Sequence, residues 1–184
     1  PGGINRRGTV PPYAPDFLDN YEVGWKTSWF EDRLRFNGAV FYQEWQDFQY
    51  SILGANGLTE VTNAPGDAEI QGLEMDVNWA VTEGFGLSAG VAFINAELSG
   101  PYCQNLFNGQ AVSANPCPVD GGGFEPPAAP EGTKLPVTPD FKGNITGRWQ
   151  FPLGELDGHL QASMVYVGER QTDLRTFEND IVGE

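Results

Sequence analysis

The sequence predicts an all-β chain, in which about six antiparallel strands form one segment of a larger transmembrane β-barrel. Six segments alternate apolar and polar residues with a period of two, which is typical of strands that present two different faces. The connections between these segments are alternately short and long. No apolar stretch approaches the ~18 residues that a membrane-spanning helix requires, whereas a barrel strand needs only ~10.

The alternating segments are expected at about 20–30, 34–50, 68–81, 85–99, 139–151 and 158–168. In the first, Tyr21 and Val23 share one face, and Glu22 and Lys26 share the other. Such alternation also fits a soluble antiparallel sheet with one face on a core. Aromatic residues near segment ends, such as Tyr21 and Trp29, and polar faces of mixed charge favour a barrel with interfacial girdles and a hydrated lumen.

The connections predict which end of the sheet faces outward. The short ones are expected near residues 30–33, 82–84 and 152–158, and the long ones at 51–67 and 100–138. All short connections then lie at one end, as periplasmic turns do in outer-membrane barrels, and all long ones lie at the extracellular end. Six strands are too few to close a membrane barrel, and the chain opens without an initiator Met or a signal peptide. We therefore expect a fragment of a larger barrel.

Charge and motif content exclude several classes of function. A net charge of -15 without a basic cluster argues against nucleic acid as a partner. Glu74 and Asp76 lie on one strand face about 7 Å apart, a spacing that a glycosidase also uses, but lumen-lining charges explain them more simply. His159 is the only histidine and lies on a polar strand face. We expect no enzyme activity, no catalytic residue, no metal site and no cofactor.

The two cysteines lie in the longer connection. Cys103 and Cys117 are predicted to form a disulfide, which implies an oxidising compartment outside the cytoplasm. A metal site would require further Cys or His ligands nearby, and the single His159 is remote in sequence. The disulfide would restrict a proline- and glycine-rich loop that otherwise lacks a strand pattern.

Four aromatic residues are candidate ligand contacts. If the second strand keeps its register, Phe41 and Trp45 point into the lumen near its extracellular mouth, where an aromatic surface could stack on a ligand. The alternative is that they pack against neighbouring loops. Tyr102 and Phe107 belong to the long loop 100–138, which could cover a bound ligand.

Four stretches resemble parts of the TonB-dependent outer-membrane receptors, and two of them resemble the late barrel strands of that family. The first is the run 19–26 (DNYEVGWK), followed by a short acidic turn and 34–42 (LRFNGAVFY). The second is Asn63-Ala64 followed by 68–76 (AEIQGLEMD), which is similar to the "N-A … G-x-E" strand of that family. The opening 1–5 (PGGIN) is similar to the extracellular stretch that precedes the first of these strands in the family, and 135–139 (LPVTP) resembles the entry to the following hairpin. The resemblance therefore covers nearly the whole chain.

The resemblance implies a barrel of twenty-two strands that is closed by a plug domain and coupled to the TonB complex. The plug domain and the TonB contact would lie outside residues 1–184, and this chain would supply about a quarter of the barrel wall. Outer-membrane lipid and a small ligand, such as an iron-siderophore or a saccharide, are the implied partners. The implied function is energy-driven import of a scarce nutrient across the outer membrane of a Gram-negative cell.

Two alternatives remain open from the sequence: a soluble secreted β-sandwich that binds carbohydrate, and a passive porin. The sandwich is distinguished by where six apolar side chains lie. These side chains are Val23, Phe36, Val77, Val91, Ile145 and Met164. In a barrel they form an outward belt ~25 Å tall, whereas in a sandwich they meet in a dry core.

Overall fold

A six-stranded sheet dominates the computed structural model, which describes residues 2–4, 12–53, 58–64, 66–103, 107, 112–172, 174 and 181–182. Its strands are β1 (Phe17–Trp29), β2 (Leu34–Gln46), β5 (Ala68–Ala80), β6 (Phe85–Leu98), β9 (Phe141–Leu153) and β10 (Leu156–Val167). Three short two-stranded pairs accompany it: β3 (Gln49–Leu53) with β4 (Thr59–Asn63), β7 (Cys117–Pro118) with β8 (Phe124–Glu125), and β11 (Arg170–Gln171) with β12 (Ile181–Val182). Within the described residues, no helix has the length and apolar character needed to cross a membrane.

The large sheet is an antiparallel meander in the order β1-β2-β5-β6-β9-β10. Each strand therefore pairs with the next large strand in the chain, which confirms the predicted all-β, antiparallel fold. All tight turns lie at one end of the sheet, here called the turn end, and all long connections lie at the other, the loop end. This segregation also confirms the pattern of connection lengths.

The turns at the turn end are short and tied to one another. The β1–β2 turn uses three consecutive residues with positive φ, Phe30, Glu31 and Asp32 (56°, 57° and 67°). The next residue, Arg33, donates hydrogen bonds from its guanidinium group to the carbonyl of Ala80, 3.0 and 3.1 Å away. It thereby joins the β1–β2 turn to the end of β5.

The β9–β10 turn is tighter than the predicted connection at 152–158. The strands continue to Leu153 and restart at Leu156, with Pro152 paired opposite Asp157. Proline is tolerated there because β9 has passed the end of β6, whose pairing with it stops at Trp149, so no ladder bond requires the missing N–H.

The second strand is shorter than the predicted 34–50. It ends at Gln46 because Asp47 adopts a positive φ of 52°, which turns the chain out of the sheet. Phe48 then enters a buried cluster, and the chain forms the β3–β4 hairpin inside the expected loop 51–67. The expected loop 100–138 likewise contains β7 and β8.

The buried core lies at the loop end and not along the middle of the sheet. Its members are Phe48, Ala64, Ala68, Ala96, Leu98, Tyr102, Ala128, Ala129, Leu135 and Leu174. None of the six apolar side chains that distinguish a barrel from a sandwich belongs to this core, and Val23 and Met164 are 73% and 66% exposed. A sandwich with a dry core between sheets is therefore contradicted within the described residues.

Candidate ligand-facing surface and family

One face of the large sheet is apolar and bounded by two rows of aromatic residues. Residues paired directly across antiparallel strands share a face, so the register assigns each side chain to a side. The upper aromatic row, near the loop end, comprises Tyr21, Tyr42, Phe93, Phe141 and Tyr166. The lower aromatic row, near the turn end, comprises Trp29, Trp79, Phe85, Trp149 and Phe151. Rings on directly paired strands contact one another within the upper row, with centroids 6.5 Å apart for Tyr21 and Tyr42, 4.9 Å for Phe93 and Phe141, and 5.7 Å for Phe141 and Tyr166.

The two rows have the spacing of a membrane. They lie eight residues apart on β1, on β6 and on β9. Eight residues span ~26 Å along a strand, which becomes ~20 Å of height at a strand tilt of ~40°. Both rows also step toward the turn end between β1 and β10, as expected when tilted strands cross a flat bilayer. The sheet therefore carries the two aromatic rows that the sequence predicted, the upper one interrupted at Gln71 of β5 and the lower one at Leu34 of β2.

The opposite face is polar and concave. It encloses a depression of about 730 Å³ whose charged lining residues are Glu22, Lys26, Glu74, Asp76 and Lys142. Within the described part of the chain, Lys26 and Lys142 form no ion pair. A surface that leaves its charges to water has the properties of a hydrated lumen, and we call it the lumen face.

The lumen face contains the two carboxylates that the sequence singled out. The amide groups of Asn37 and Asn78 donate hydrogen bonds to Asp76, over 3.1 and 3.3 Å. Glu74 is exposed, as is His159 at the other end of the face. Within the described residues, no group of His, Cys, Asp and Glu side chains could hold a metal ion. The carboxylates therefore fit the interpretation as lumen-lining charges.

The long connection between β6 and β9 folds over the loop end. Cys103 and Cys117 form the predicted disulfide, and both are buried. We call residues 101–103 and 112–135 the disulfide lobe. Its backbone pairs with itself between Tyr102 and Ala129 (2.7 and 3.2 Å) and with β6 through Leu98, whose N–H donates to Thr133. The disulfide thus closes the lobe on itself, and backbone hydrogen bonds fasten the described lobe to the sheet.

The disulfide lobe covers the upper part of the lumen face. Ala68, Ala96 and Leu98 lie on that face by register, and they pack in one cluster with the lobe residues Tyr102 and Leu135. The uppermost strand residues here are consequently buried beneath the lobe.

Phe41 lies on the lumen face just below this covered region. It pairs with Glu22 on one side and Gly72 on the other, and it is half-buried. The Phe41 ring lies over Gly72, where a Cβ atom would collide with the ring and would lie 2.7 Å from the carbonyl oxygen of Phe93. The glycine therefore makes room for the aromatic side chain.

The other three candidate contacts have different surroundings. Trp45 shares the lumen face, but its ring packs on Phe48 (centroids 5.4 Å apart) and its Nε1–H donates to Asp16 over 3.0 Å. Tyr102 is only 5% exposed, so its ring offers little surface to a ligand in this conformation. Phe107 is half-buried, and its neighbours on both sides lie outside the described residues.

A membrane-spaced apolar face, a hydrated lumen face and long loops at one end together form part of an outer-membrane barrel wall. The family model described as TonB dependent receptor-like, beta-barrel matches residues 1–180. The chain belongs to the TonB-dependent receptor family. The family consists of receptors and not enzymes, and its members lie in the Gram-negative outer membrane, so the turn end is periplasmic and the loop end extracellular.

Two known proteins are similar to this TonB-dependent receptor segment. The probable TonB-dependent siderophore receptor PiuA of Acinetobacter baumannii is 25% identical over 107 residues, which cover 53% of this chain and 14% of PiuA. The crystal structure of the ferric yersiniabactin uptake receptor FyuA from Yersinia pestis superposes with a TM-score of 0.63 at 18% identity, covering 94% of this chain and 22% of FyuA. The chain thus spans less than a quarter of the length of either protein.

Sequence reasoning missed two features of this surface. Gly72 and Asn63 both belong to the stretch 63–76 that resembles the family, but the neighbouring residues in the sequence do not indicate the role of either. Gly72 accommodates a ring from the neighbouring strand, and Asn63 bonds to residues distant in sequence. The role of Gly72 depends on strand register and that of Asn63 on how the segments at the loop end fold back, and a single sequence specifies neither.

Proposed function

We propose that this chain is a wall segment of an outer-membrane receptor that imports a scarce nutrient, with energy supplied through the TonB complex. The observation that carries the proposal is the two-sided sheet: a lipid-facing apolar belt backs a hydrated, charged lumen face. A ligand that binds at the extracellular end of such a wall can pass along the lumen without meeting lipid. The contact with the TonB complex would lie in a plug domain outside this chain.

The ligand class that we propose is an iron-siderophore. Its support is the naming of both similar proteins, one as a siderophore receptor and the other as a ferric yersiniabactin receptor. A carbohydrate-like ligand is the second candidate, favoured by the half-buried aromatic ring of Phe41 beside the polar side chain of Glu22 on the lumen face. In either case, Phe41 is the residue that we expect to touch the ligand, by stacking of its ring.

The test is uptake by cells that express the full-length receptor containing this chain. The cells are given radiolabelled iron bound to hydroxamate, catecholate or phenolate siderophores, with and without a protonophore. We expect saturable uptake of at least one complex, which is lost when the proton gradient is collapsed. Uptake that is unsaturable and indifferent to the protonophore would instead indicate a passive porin. Uptake of labelled oligosaccharides but of no iron complex would overturn the siderophore assignment.

The same assay examines the ligand contact. Phe41→Ala should raise the concentration for half-maximal uptake, whereas Phe41→Trp should preserve it because an aromatic face remains. Tyr102→Phe serves as a control, because the Tyr102 ring is buried and keeps its packing. An unchanged half-maximal concentration in Phe41→Ala would show that Phe41 is not a contact.

A further inference from the structure

Asn63, the last residue of β4, binds two separate parts of the extracellular end. Its side-chain Oδ1 accepts a hydrogen bond from the backbone N–H of Ala14 over 2.6 Å. Its Nδ2 donates to the carbonyl oxygen of Ala14 over 3.0 Å and to that of Asp47 over 2.6 Å. The amide thus uses both of its N–H donors and its oxygen in one place.

The two bonds to Ala14 replace one rung of a β-ladder. A side-chain amide that pairs with both the N–H and the C=O of one residue reproduces what a neighbouring strand offers. The regular pairing of β1 with β2 stops at Phe17 and Gln46, and the positive φ of Asp47 turns the chain away. Asn63 continues the connection beyond that point, between the segment before β1 and the β3–β4 hairpin.

Other polar side chains extend the same network. Gln49, at the start of β3, donates from Nε2 to the carbonyl of Ala14 (3.0 Å) and to Asp16 Oδ1 (3.2 Å). Asp16 Oδ2 accepts the Trp45 indole bond, and the backbone N–H of Asp47 donates to Asp67 Oδ1 over 3.2 Å. The hairpin, the end of β2 and the segment before β1 are therefore bonded together on the extracellular side.

We propose that Asn63 is a positioning residue that locks the β3–β4 hairpin to the segment preceding β1 and so fixes one side of the extracellular mouth. The consequence for ligand capture rests on the proposed function, but the locking itself does not. Because the mouth is preformed, a ligand does not lose binding energy in ordering this hairpin. The residue acts through the backbone that it holds and not by contact with the ligand.

The chemistry of the site accounts for an amide in preference to a carboxylate. In Asn63→Asp the oxygen that accepts from Ala14 remains, but both donors are lost, and a second oxygen then faces the carbonyls of Ala14 and Asp47. The new negative charge would also lie in a network that already contains Asp16, Asp47 and Asp67. The Asn63→Asp side chain thus has nearly the shape of the native one but lacks the two donor bonds that hold the hairpin in place.

The test is hydrogen exchange on the full-length receptor in lipid vesicles. Asn63→Asp should accelerate exchange at Ala14 and in the hairpin by about tenfold or more, because local opening no longer breaks these bonds. Exchange in the large strands should not change. Asn20→Asp is the control for the added charge, since it makes the same substitution on a strand away from the hairpin, where the Asn20 Oδ1 only accepts a hydrogen bond from Gln43 Nε2 over 3.1 Å and no donor bond is lost. Equal exchange in the wild type and in Asn63→Asp would overturn the proposal.

Two further measurements separate positioning from general damage. Lowering the pH below ~4 should protonate the new carboxyl and restore a donor, so the hairpin exchange rate of the variant, divided by that of the wild type at the same pH, should fall back toward one, which lost packing would not do. In the uptake assay with the iron complexes, Asn63→Asp should raise the half-maximal concentration but keep the maximal rate. If no iron complex is taken up, the proposed function fails, while the exchange result still decides the role of Asn63.

Discussion

A charge placed in the middle of the lipid-facing belt should destabilise the receptor far more than the same charge one residue away. Met75 on β5 lies on the apolar face, paired with Gly38 and Val91. It is four residues from Trp79 of the lower aromatic row and four from Gln71, which pairs with Tyr42 of the upper row. Four residues correspond to ~10 Å of height at a tilt of ~40°, which places Met75 near the bilayer midplane.

An arginine at three positions of β5 should destabilise the receptor by different amounts. Met75→Arg should lower the free energy of unfolding of the bilayer-inserted receptor by ~2–4 kcal/mol, a decrease of ~30- to ~1000-fold in the folded-to-unfolded ratio. Gln71→Arg, at the level of the upper row, should cost ~0–1 kcal/mol because the guanidinium group reaches the interface. Glu74→Arg points into the hydrated lumen and should change the free energy by less than ~0.5 kcal/mol.

The assay is refolding of the full-length receptor into phosphatidylcholine vesicles over a urea series. The folded fraction is measured by the electrophoretic mobility of unheated samples, since folded outer-membrane barrels migrate differently from heated ones. The expected order of destabilisation is Met75→Arg, then Gln71→Arg, then Glu74→Arg. The assignment of faces would be refuted if Glu74→Arg were as costly as Met75→Arg, because the register would then be shifted by one residue.

Three further outcomes follow from the extracellular end. Replacing both Cys103 and Cys117 by Ser should reduce the stability of the disulfide lobe by up to ~3 kcal/mol, because the bond closes a loop with a sequence separation of 14. Proteolysis within the lobe should become faster while the strands stay protected, and unchanged proteolysis would contradict this prediction. Gly72→Ala should destabilise the fold by ~1–3 kcal/mol in urea refolding, because the added Cβ collides with the Phe41 ring. Adding Phe41→Ala should recover part of this loss, and a double variant whose free-energy change equals the sum of the two single changes would exclude the ring contact. Trp45→Phe should cost ~1 kcal/mol in urea refolding through the lost indole bond to Asp16, and an unchanged urea midpoint would contradict that bond.

Periodicity alone was sufficient to predict the strands and their two faces. The alternation at Tyr21, Glu22 and Val23 reappears in the structure as side chains on opposite sides of one sheet. It succeeds because the side-chain period of a strand is fixed by covalent geometry. Strand ends were less predictable, because Asp47 ends β2 by a backbone conformation and Pro152 continues β9 at an unpaired edge.

The candidate site was predictable only in part. The lumen side of Phe41 follows from strand parity, and the disulfide between Cys103 and Cys117 follows from two cysteines in one loop. The burial of Tyr102 and the packing of Trp45 on Phe48 did not follow, because both depend on how a long loop folds back. Loop conformation is decided by contacts between residues distant in the chain, and these leave no local pattern.

The sequence by itself therefore determined the class of the molecule: a two-faced antiparallel wall with short periplasmic turns and long extracellular connections. The tertiary structure decided what those connections do. It folded the disulfide lobe onto the lumen face, placed the Phe41 ring over Gly72 and brought Asn63 to Ala14. The physical reason is the sequence separation of the interacting residues. The two faces of a strand are set by adjacent residues, whereas the loop end is held by hydrogen bonds and packing between segments tens of residues apart.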